Sequence, residues 1–294
     1  MDVSVIILNY NTFKLTSNCI NSIIEYTKGL DYEIVLVDNA STEIDATAFL
    51  KDHPSIKLVK NTVNAGFAAG NNLGIENASG EYILLLNSDT LLTENSISLA
   101  VNFAKQQSSL GVLGCRMTYP GGQIQYTARK FRSISCELLD LFPLIPWMMS
   151  YKRRSRRMLG KYFRHNEVIQ ADWLNGAFFL FRKELLDSMV GKKLDDRFFM
   201  YGEDQLWCEQ IKKMGKQNIF FSGTTIIHIN SGSTSHAKQL QLRKIMMKHE
   251  LEIMRERKGR DLYYFVFKLI YASKESFRNF IKWIYFKVTG KTMR

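Results

Sequence analysis

Two aspartates follow apolar runs of the chain at points where a strand is expected to end. Asp38 comes directly after EIVLV (33–37), and Asp89 closes the short polar turn 87–89, which follows YILLL (82–86). A carboxylate at the end of a strand can accept hydrogen bonds from a nucleobase imide or a ribose hydroxyl. It can also help to hold Mg²⁺ between two phosphates, with phosphate and water oxygens completing the coordination. Each aspartate alone could instead cap the N-terminus of a helix.

Runs of β-branched and other apolar residues alternate with segments of helical period in the first part of the chain. Such runs are typical of strands buried on both faces of a parallel sheet, and the alternation predicts a right-handed βαβ series. Ligands of these sheets bind beyond the carboxyl ends of the strands, where the polar segments 9–12, 38–42 and 87–89 fall. The predicted strands are VSVIIL (3–8), EIVLV (33–37), IKLVK (56–60) and YILLL (82–86).

Three glycines are spaced at intervals of four in the segment NAGFAAGNNLG, at Gly66, Gly70 and Gly74. They do not form the G-x-G-x-x-G pattern of a dinucleotide-binding fold, and the chain has no P-loop, so a dehydrogenase or a P-loop ATPase is not supported. A glycine-spaced segment that opens a helix can let the backbone approach a ribose or a phosphate. The alternative is that these glycines only ease the packing of a helix.

The composition indicates a folded protein with an uneven charge distribution. The 294 residues are 46% hydrophobic and include four prolines, which provides for a substantial core and argues against Pro-rich linkers. Of the net charge of +12, residues 1–237 carry +2 and residues 238–294 carry +10. We therefore predict one domain over 1–237 and a basic, aromatic-rich helical tail over 238–294. The four cysteines form no C-x-x-C pair, which favours a reducing compartment.

The tail and a mid-chain segment are candidate membrane contacts. A helix over residues 262–288 would place apolar side chains on one face and repeat Lys274, Arg278 and Lys282 on another. A basic, aromatic-rich amphipathic helix suits the membrane interface; the alternatives are packing on the main domain and, least favoured, nucleic-acid binding. The segment LFPLIPWMM (141–149), followed by KRRSRR (152–157), could dip into a bilayer, cover a substrate or form a plain surface loop.

The chain shows no sign of a spanning segment or a leader. No stretch reaches the roughly 18–20 uninterrupted apolar residues that a membrane span needs. The start, MDVSVIILNYN, lacks the basic flank and cleavage site of a signal peptide. We therefore expect a cytoplasmic protein, peripheral on the cytoplasmic face of the membrane.

Six segments in order resemble the nucleotide-sugar signatures of family 2 glycosyltransferases with the GT-A fold, in particular the bacterial rhamnosyltransferase-like enzymes of cell-wall and O-antigen assembly. The likeness covers about 230 residues and fades after residue 236. It implies an α/β fold, with a mostly parallel, Rossmann-like sheet flanked by helices and here extended by the basic C-terminal helix. The segments are VSVIILNYN, EIVLVDNAST, NAGFAAGNNLGI, YILLLNSDT, DWLNGAFFLFRKE (172–184) and DDRFFMYGED (195–204).

The resemblance implies roles for individual residues of the donor site. Asp38 would contact the base, and Asp89 matches the last acid of the family's D-x-D motif, which holds Mg²⁺ or Mn²⁺ on the diphosphate. Asn87 stands at the first position of that motif, so one carboxylate remains. Asn9 and Tyr10 would line the nucleoside pocket, and Asn64 and Gly66 would border the nucleotide.

The resemblance also implies an acceptor site and a catalytic pair. Glu203-Asp204 matches the family's Glu-Asp pair, in which the aspartate is the general base. A further aspartate often follows that pair two residues on, where this chain has Leu206. His228 matches a histidine that can complete the metal site. The sugar and acceptor pocket would be shaped by Asp172, Trp173, Asn175 and Gly176.

The predicted function is transfer of a sugar, with inversion, from a nucleotide-diphosphate donor to a polysaccharide or lipid-linked acceptor. A divalent cation would stabilise the leaving diphosphate, while Asp204 accepts the proton of the acceptor hydroxyl. The subgroup favours L-rhamnose from dTDP-rhamnose. Two alternatives stay open, an inactive nucleotide-sugar-binding or membrane scaffold and a nucleotidyltransferase, although NYNTF after the first strand lacks the Gly-rich basic loop of the latter.

Overall fold

The computed structural model describes residues 1–142, 144–229 and 236–289, and within them the chain forms two compact units. The first unit comprises Met1–Lys130 and Leu159–Ser231, and the second comprises Phe131–Met158 and Gly232–Arg294. The strands are β1 (Val3–Asn9), β2 (Tyr32–Asp38), β3 (Lys57–Lys60), β4 (Tyr82–Asn87), β5 (Thr90–Leu92), β6 (Leu110–Thr118), β7 (Ile124–Gln125), β8 (Ala128–Arg129), β9 (Ile169–Ala171), β10 (Trp173–Leu174), β11 (Phe178–Arg182) and β12 (Gln217–His228). The helices are α1 (Phe13–Tyr26), α2 (Phe49–Asp52), α3 (Gly66–Glu76), α4 (Ser96–Lys105), α5 (Ile134–Leu141), α6 (Leu144–Met148), α7 (Tyr151–Met158), α8 (Glu203–Lys213), α9 (His236–Lys258) and α10 (Leu262–Thr289).

The first unit is built on one mixed sheet with the order β3-β2-β1-β4-β11-β6-β12-β5. The four predicted strands are confirmed as β1 to β4, and all their mutual pairings are parallel. Beyond β4 the pairing alternates, because β11 runs antiparallel to both β4 and β6, whereas β12 runs parallel to β6. The parallel half therefore brings the carboxyl ends of β1, β2 and β4 to one edge of the sheet.

The core of the first unit explains two of the three spaced glycines. A Cβ atom on Gly70 would lie 2.5 Å from Cδ1 of Leu8, and one on Gly74 would lie 2.4 Å from Cγ2 of Ile6. Both glycines belong to α3, so they let this helix pack directly on β1. The packing explanation therefore holds for Gly70 and Gly74.

The second unit is helical and joins two separate stretches of sequence. Buried Met254 of α9 and Phe267 and Tyr271 of α10 form its apolar core. The prediction placed residues 131–158 within the domain 1–237, whereas the contacts group them with the C-terminal helices. The boundary at 237/238 stays a prediction.

A buried ion pair links α10 to α5 inside the second unit. Lys274 contacts Glu137, and the two residues are 5% and 1% exposed. Lys274 also lies 3.4 Å from a carboxylate oxygen of Asp140. The prediction that Lys274 shares a charged outer face with Arg278 and Lys282 is therefore wrong for Lys274, since the helix turns this position inward. No helix within the described residues is both long and apolar enough to cross a bilayer.

Candidate active site

The registers of three parallel strands bring the predicted donor residues to one edge of the sheet. Asn9 pairs with Asp38 across β1 and β2, and Leu8 pairs with Asn87 across β1 and β4. Side chains at the ends of these strands therefore share the edge where ligands of parallel sheets bind. Asn9, Asp38 and Asn87, which are far apart in the sequence, are brought together as predicted.

Asn9 holds Asp38 in place. The amide nitrogen of Asn9 donates to Oδ1 of Asp38 at 2.8 Å and to Oγ of Ser41 at 3.0 Å. Its Oδ1 accepts hydrogen bonds from Thr12 and Thr16, at 3.1 and 2.8 Å. Because these bonds occupy both donors and both lone pairs of a buried amide, Asn9 positions Asp38 by its side chain.

Asp38 and Tyr10 are available to contact a ligand. The second carboxylate oxygen of Asp38 accepts the backbone N–H of Ser41 at 3.1 Å. Each oxygen of a carboxylate can accept about two hydrogen bonds, so acceptor capacity remains for a base or a ribose. Tyr10 is 46% exposed beside this site and offers a ring face to a base.

An asparagine network supports the loop before α3. The amide nitrogen of Asn39 donates to Oδ1 of Asn64 at 2.9 Å, and that oxygen also accepts the N–H of Gly66 at 3.0 Å. Gly66 has a φ of +84°, and a Cβ on it would lie 2.4 Å from the carbonyl oxygen of Phe199. Gly66 is therefore required by both its backbone conformation and this close approach. Asn39 was not predicted, although its place after Asp38 at a strand end is the signal that could have found it.

Asp89 and His228 face each other across two strands. β5 and β12 pair antiparallel with Thr90 opposite His228, and the N–H of Ile229 donates to the carbonyl of Asp89 at 2.9 Å. This register brings Oδ1 of Asp89 to 3.2 Å from Nε2 of His228. The amide of Asn87 lies 3.4 Å from the same nitrogen. The three residues therefore form one polar cluster at the end of β4.

Gln125 decides which nitrogen of His228 carries a proton. Its amide nitrogen donates to the carbonyl oxygen of His228 at 2.6 Å, so its Oε1 must be the atom that lies 2.8 Å from Nδ1. An oxygen accepts only from a protonated nitrogen, which assigns the hydrogen to Nδ1. In the neutral ring, Nε2 then presents a lone pair toward Asp89.

These residues fit a divalent cation. Nε2 of His228 lies 3.2 Å from Oδ1 of Asp89, and Oδ1 of Asn87 is buried with no hydrogen-bond partner among the described residues. These three atoms could act as donors to one cation, and imidazole with carboxylate is a donor set that Mn²⁺ accepts. The described part of the chain contains no group of three or more His, Cys, Asp or Glu residues for a metal. Phosphate and water oxygens would therefore need to complete the coordination of the cation.

Asp204 lies in the first turn of α8, where two backbone amides meet its carboxylate. Oδ2 accepts the N–H of Gly176 at 3.1 Å, and Oδ1 accepts the N–H of Gln205 at 2.8 Å. The next residue along the loop, Ala177, accepts the N–H of Asn87 at 3.1 Å. A short backbone bridge therefore connects Asp204 to the cluster of Asn87, Asp89 and His228.

Burial raises the pKa values of Glu203 and Asp204 to different extents. Burial raises the pKa of Asp204, although the N–H groups of Gly176 and Gln205 and the charge of Arg129 oppose this rise. Burial and the neighbouring charge of Asp204 raise the pKa of Glu203 further above its ordinary value. Oε2 of Glu203 has no hydrogen-bond partner among the residues that the structure describes. The pair is therefore arranged to carry one proton, on Glu203, with Asp204 ionised.

The four residues predicted for the sugar and acceptor pocket differ in their surroundings. Gly176 contacts Asp204 directly, and Oδ1 of Asn175 accepts the N–H of Ala177 at 2.9 Å, which shapes the same loop. Asp172 instead lies 2.6 Å from the ammonium of Lys212. Trp173 donates from its indole nitrogen to the carbonyl of Lys130 at 3.2 Å. Of the four, Gly176 therefore contacts Asp204, and Asn175 shapes the loop that carries Gly176.

Two further residues of this region were not predicted. Arg129 lies with its guanidinium 5.4 Å from the ring centre of Trp173, and its positive charge acts on Asp204. Gln125 belongs to the two-residue strand β7 and contacts His228 as described above. Neither residue lies in a recognisable motif, because its role comes from the sheet pairing of β7 and β8.

Comparison with known proteins shows the family of the chain. The sequence model of the family "Glycosyl transferase family 2" matches residues 4–189. An N-acetylglucosaminyl-diphospho-decaprenol L-rhamnosyltransferase of Mycobacterium tuberculosis is 24% identical over 221 residues, which are 68% of this chain and 67% of that protein. The O-antigen biosynthesis protein RfbC of Myxococcus xanthus is 26% identical over 235 residues, which are 79% of this chain and 17% of that protein.

Two solved structures share the fold. S. aureus TarS 1-349 in complex with UDP has a TM-score of 0.54 at 17% identity, covering 87% of this chain and 70% of that chain. The mannosyltransferase PcManGT from Pyrobaculum calidifontis, in complex with GDP-Man and Mn²⁺, has a TM-score of 0.57 at 19% identity, covering 92% of this chain and 68% of that chain. At these identities the two structures show the fold. With the family match over residues 4–189, the chain belongs to glycosyl transferase family 2 and is a glycosyltransferase.

Proposed function

We propose that this enzyme transfers L-rhamnose from dTDP-rhamnose, with inversion, to a cell-surface polysaccharide precursor or a lipid-linked acceptor. The observation that carries the proposal is the backbone bridge from Asp204 to Asn87, which joins a base to a cation site at one sheet edge. The similarity to the N-acetylglucosaminyl-diphospho-decaprenol L-rhamnosyltransferase of M. tuberculosis supports the choice of sugar and a polyprenol-linked acceptor.

Asp204 is the proposed general base. The ionised carboxylate removes the proton of an acceptor hydroxyl while that oxygen attacks the anomeric carbon of the donor. The bond from the anomeric carbon to the diphosphate oxygen breaks, and the electron pair leaves with the nucleoside diphosphate. This requires the acceptor oxygen to lie about 2.6–3.2 Å from the carboxylate. Glu203, held protonated, keeps a second negative charge away from Asp204.

Asp89 and His228 are the proposed protein ligands of a divalent cation, Mg²⁺ or Mn²⁺. When bound, the cation supplies Lewis-acid stabilisation of the charge that develops on the leaving diphosphate. Asp89 and His228 are held in place by the β5–β12 pairing, and Gln125 fixes the orientation of the imidazole. The chain therefore presents these ligands in a preformed arrangement.

The nucleoside is proposed to lie beyond β1 and β2. Asp38 accepts hydrogen bonds from the base or ribose, and Tyr10 lies against the base. Asn64 and Gly66 border the nucleotide at the start of α3. Asp172 and Trp173 are proposed to line the acceptor side of the pocket, with Asn175 and Gly176 next to the general base, Asp204.

The enzyme is proposed to act in the cytoplasm, as a peripheral protein on the inner face of the membrane, because a lipid-linked acceptor is found there. The donor site itself needs no membrane. Donor use and membrane binding can therefore be measured separately.

Donor turnover tests the proposal. The purified chain is incubated with dTDP-rhamnose, UDP-hexoses, UDP-galactofuranose and GDP-mannose, with Mg²⁺ or Mn²⁺ and a lipid-linked acceptor extract. We expect release of dTDP from dTDP-rhamnose, abolished by EDTA and by Asp89→Asn, and unchanged in the control Asp52→Asn, an exposed carboxylate of α2. Release from another donor would replace rhamnose by that sugar. No release from any donor, with nucleotide binding intact, would favour an inactive scaffold.

A further inference from the structure

The short helix α6 exposes its apolar side chains. Leu144, Trp147 and Met148 are 76, 62 and 86% exposed, and Phe142 just before them is 59% exposed. Single exposed apolar residues are ordinary, but contiguous ones on a folded surface mark an interaction site. The mid-chain segment that could have been a plain loop is therefore an exposed apolar helix of the second unit.

Helix α10 changes character halfway along its length. Its first half buries Phe267, Tyr271 and Lys274 in the second unit. None of the described residues of its second half is buried. Exposed apolar side chains repeat along one face at Phe277 (60% exposed), Phe280 (54%), Ile281 (39%), Ile284 (41%) and Val288 (79%), and Trp283 (51%) and Phe286 (37%) are exposed on the other side.

Basic residues accompany both apolar stretches. Helix α7 directly follows α6, and Lys152, Arg153, Arg156 and Arg157 on it are exposed. The guanidinium of Arg154 lies 4.3 Å from the ring centre of Trp147, so α7 contacts α6 through this pair. By sequence, the second unit holds 21 Lys and Arg residues against 7 Asp and Glu residues, whereas the first unit holds 19 against 21. The positive charge excess of the chain therefore lies in the second unit.

A buried ion pair links α10, which carries one apolar stretch, to α5, which precedes the other stretch in the chain. Lys274 of α10 contacts Glu137 of α5, and α5 leads along the chain to α6. Arg132 reaches the same glutamate at 2.8 Å, so two cations meet Glu137 inside the unit. Removing one partner of such a buried pair leaves an uncompensated charge, so the pair resists separation of α10 from α5.

We propose that the second unit binds the surface of an anionic lipid bilayer, with α6 and the second half of α10 inserting their apolar side chains at headgroup depth. Aromatic and apolar residues beside Lys and Arg are the composition that lies in this interface, and the basic residues of α7 attract anionic headgroups. The inference specifies the membrane contact of the proposed function and rests on it for its biological setting. A second copy of the chain fits poorly, since it carries the same positive excess. Nucleic acid would match the charge and leave the exposed apolar residues without a partner.

Vesicle binding of the full chain tests this inference. The protein is sedimented with sucrose-loaded vesicles of phosphatidylcholine, with and without phosphatidylglycerol, at low and high salt. We expect binding that requires phosphatidylglycerol and weakens with salt. The double variant Arg156→Ala, Arg157→Ala should bind more weakly by about fivefold for each charge removed. The double variant Trp147→Ser, Phe280→Ser should bind on the order of a hundredfold more weakly, because two apolar side chains no longer insert.

Matched substitutions on the first unit are the controls. Val63, which is 65% exposed, and Lys51, also exposed, lie on that unit, so Val63→Ser and Lys51→Ala should leave vesicle binding unchanged. All variants should release nucleotide diphosphate from the donor at the same rate without vesicles, which separates this inference from the proposed function. Absence of binding to phosphatidylglycerol vesicles would overturn the inference. So would vesicle-independent self-association, or binding to DNA, that the apolar and basic variants abolish.

Discussion

Replacing Gln125 by leucine removes both hydrogen bonds that orient His228. The change leaves Nδ1–H and the carbonyl oxygen of His228 without their partners, at 2.8 and 2.6 Å in the structure. His228 is 8% exposed, so water does not readily replace them. The ring is then free to turn or to carry its proton on Nε2, the nitrogen that faces Asp89.

The expected effect is a weaker metal site. Loss of a residue that orients a metal-binding histidine costs about 10–100-fold in affinity, which corresponds to about 1.4–2.8 kcal/mol. Each buried group left unsatisfied costs about 1–3 kcal/mol, which is consistent with that range. We therefore expect Gln125→Leu to bind Mn²⁺ about 10–100-fold more weakly than the unmodified chain in the presence of dTDP.

Electron paramagnetic resonance of free Mn²⁺ measures this affinity without turnover. The matched control is Gln123→Leu, an exposed glutamine two residues earlier in the same hairpin. An unchanged Mn²⁺ affinity in Gln125→Leu, with the fold intact by circular dichroism, would refute the role of Gln125. An equal loss of Mn²⁺ affinity in Gln123→Leu would show that the effect is not specific to Gln125.

Three further changes test other parts of the structure. Because burial raises the pKa of Asp204 to about 6 and that of Glu203 to about 8, these two acids hold more protons in the folded chain than in the unfolded chain between the ordinary carboxyl pKa and those values. Their contribution to the free energy of unfolding should therefore fall as pH rises through this window, and Glu203→Gln, compared with the unmodified chain in chemical denaturation, should remove much of that fall. For the same reason kcat/KM should fall on acidification at a pH above the ordinary aspartate pKa. Lys274→Met should destabilise the second unit in thermal unfolding by less than the about 3–5 kcal/mol of a buried pair that is broken outright, because Glu137 keeps Arg132 as a partner. Gly66→Ala should destabilise the first unit by about 1–3 kcal/mol, because of the close carbonyl and the positive φ.

The controls for these changes separate the intended cause from others. Lys274→Met combined with Glu137→Leu should cost less than the sum of the two single changes, because the two side chains interact directly; an additive cost would contradict the ion-pair explanation. Gly122→Ala places a side chain at a φ of +81° with open space around it. It should therefore cost less than Gly66→Ala, and an equal cost would contradict the contact with Phe199. An identical pH dependence of stability in Glu203→Gln and in the unmodified chain would contradict the raised pKa of Glu203.

The donor half of the site could be predicted because it depends on local sequence. Asp38 and Asn87 close uninterrupted apolar runs, and parallel strands of similar length end at one edge, so their proximity follows from pattern alone. Gly66 lies at the start of a recognisable helix. These features are readable because strand ends and helix starts have short-range signals.

The remaining features of the site and of the second unit depend on contacts between residues that are far apart in the sequence. Gln125 contacts His228, 103 residues away, through a strand of two residues that has no apolar periodicity. Lys274 follows the spacing of a solvated face, yet it is buried because Glu137, more than 130 residues earlier, lies under that turn. The joining of 131–158 to the C-terminal helices likewise reflects tertiary packing, which no local pattern reports.

Single-turnover kinetics of Asp204→Asn test the central claim most directly. Nucleotide diphosphate release is followed with the donor that the turnover panel selects and its acceptor, and donor binding is measured by calorimetry on the same preparation. The account predicts a loss of about 10²–10⁴-fold in the transfer rate, with donor affinity unchanged and Asp52→Asn as active as the unmodified chain. A transfer rate within a few fold of that of the unmodified chain, in the folded Asp204→Asn variant, would contradict the assignment of Asp204 as the base.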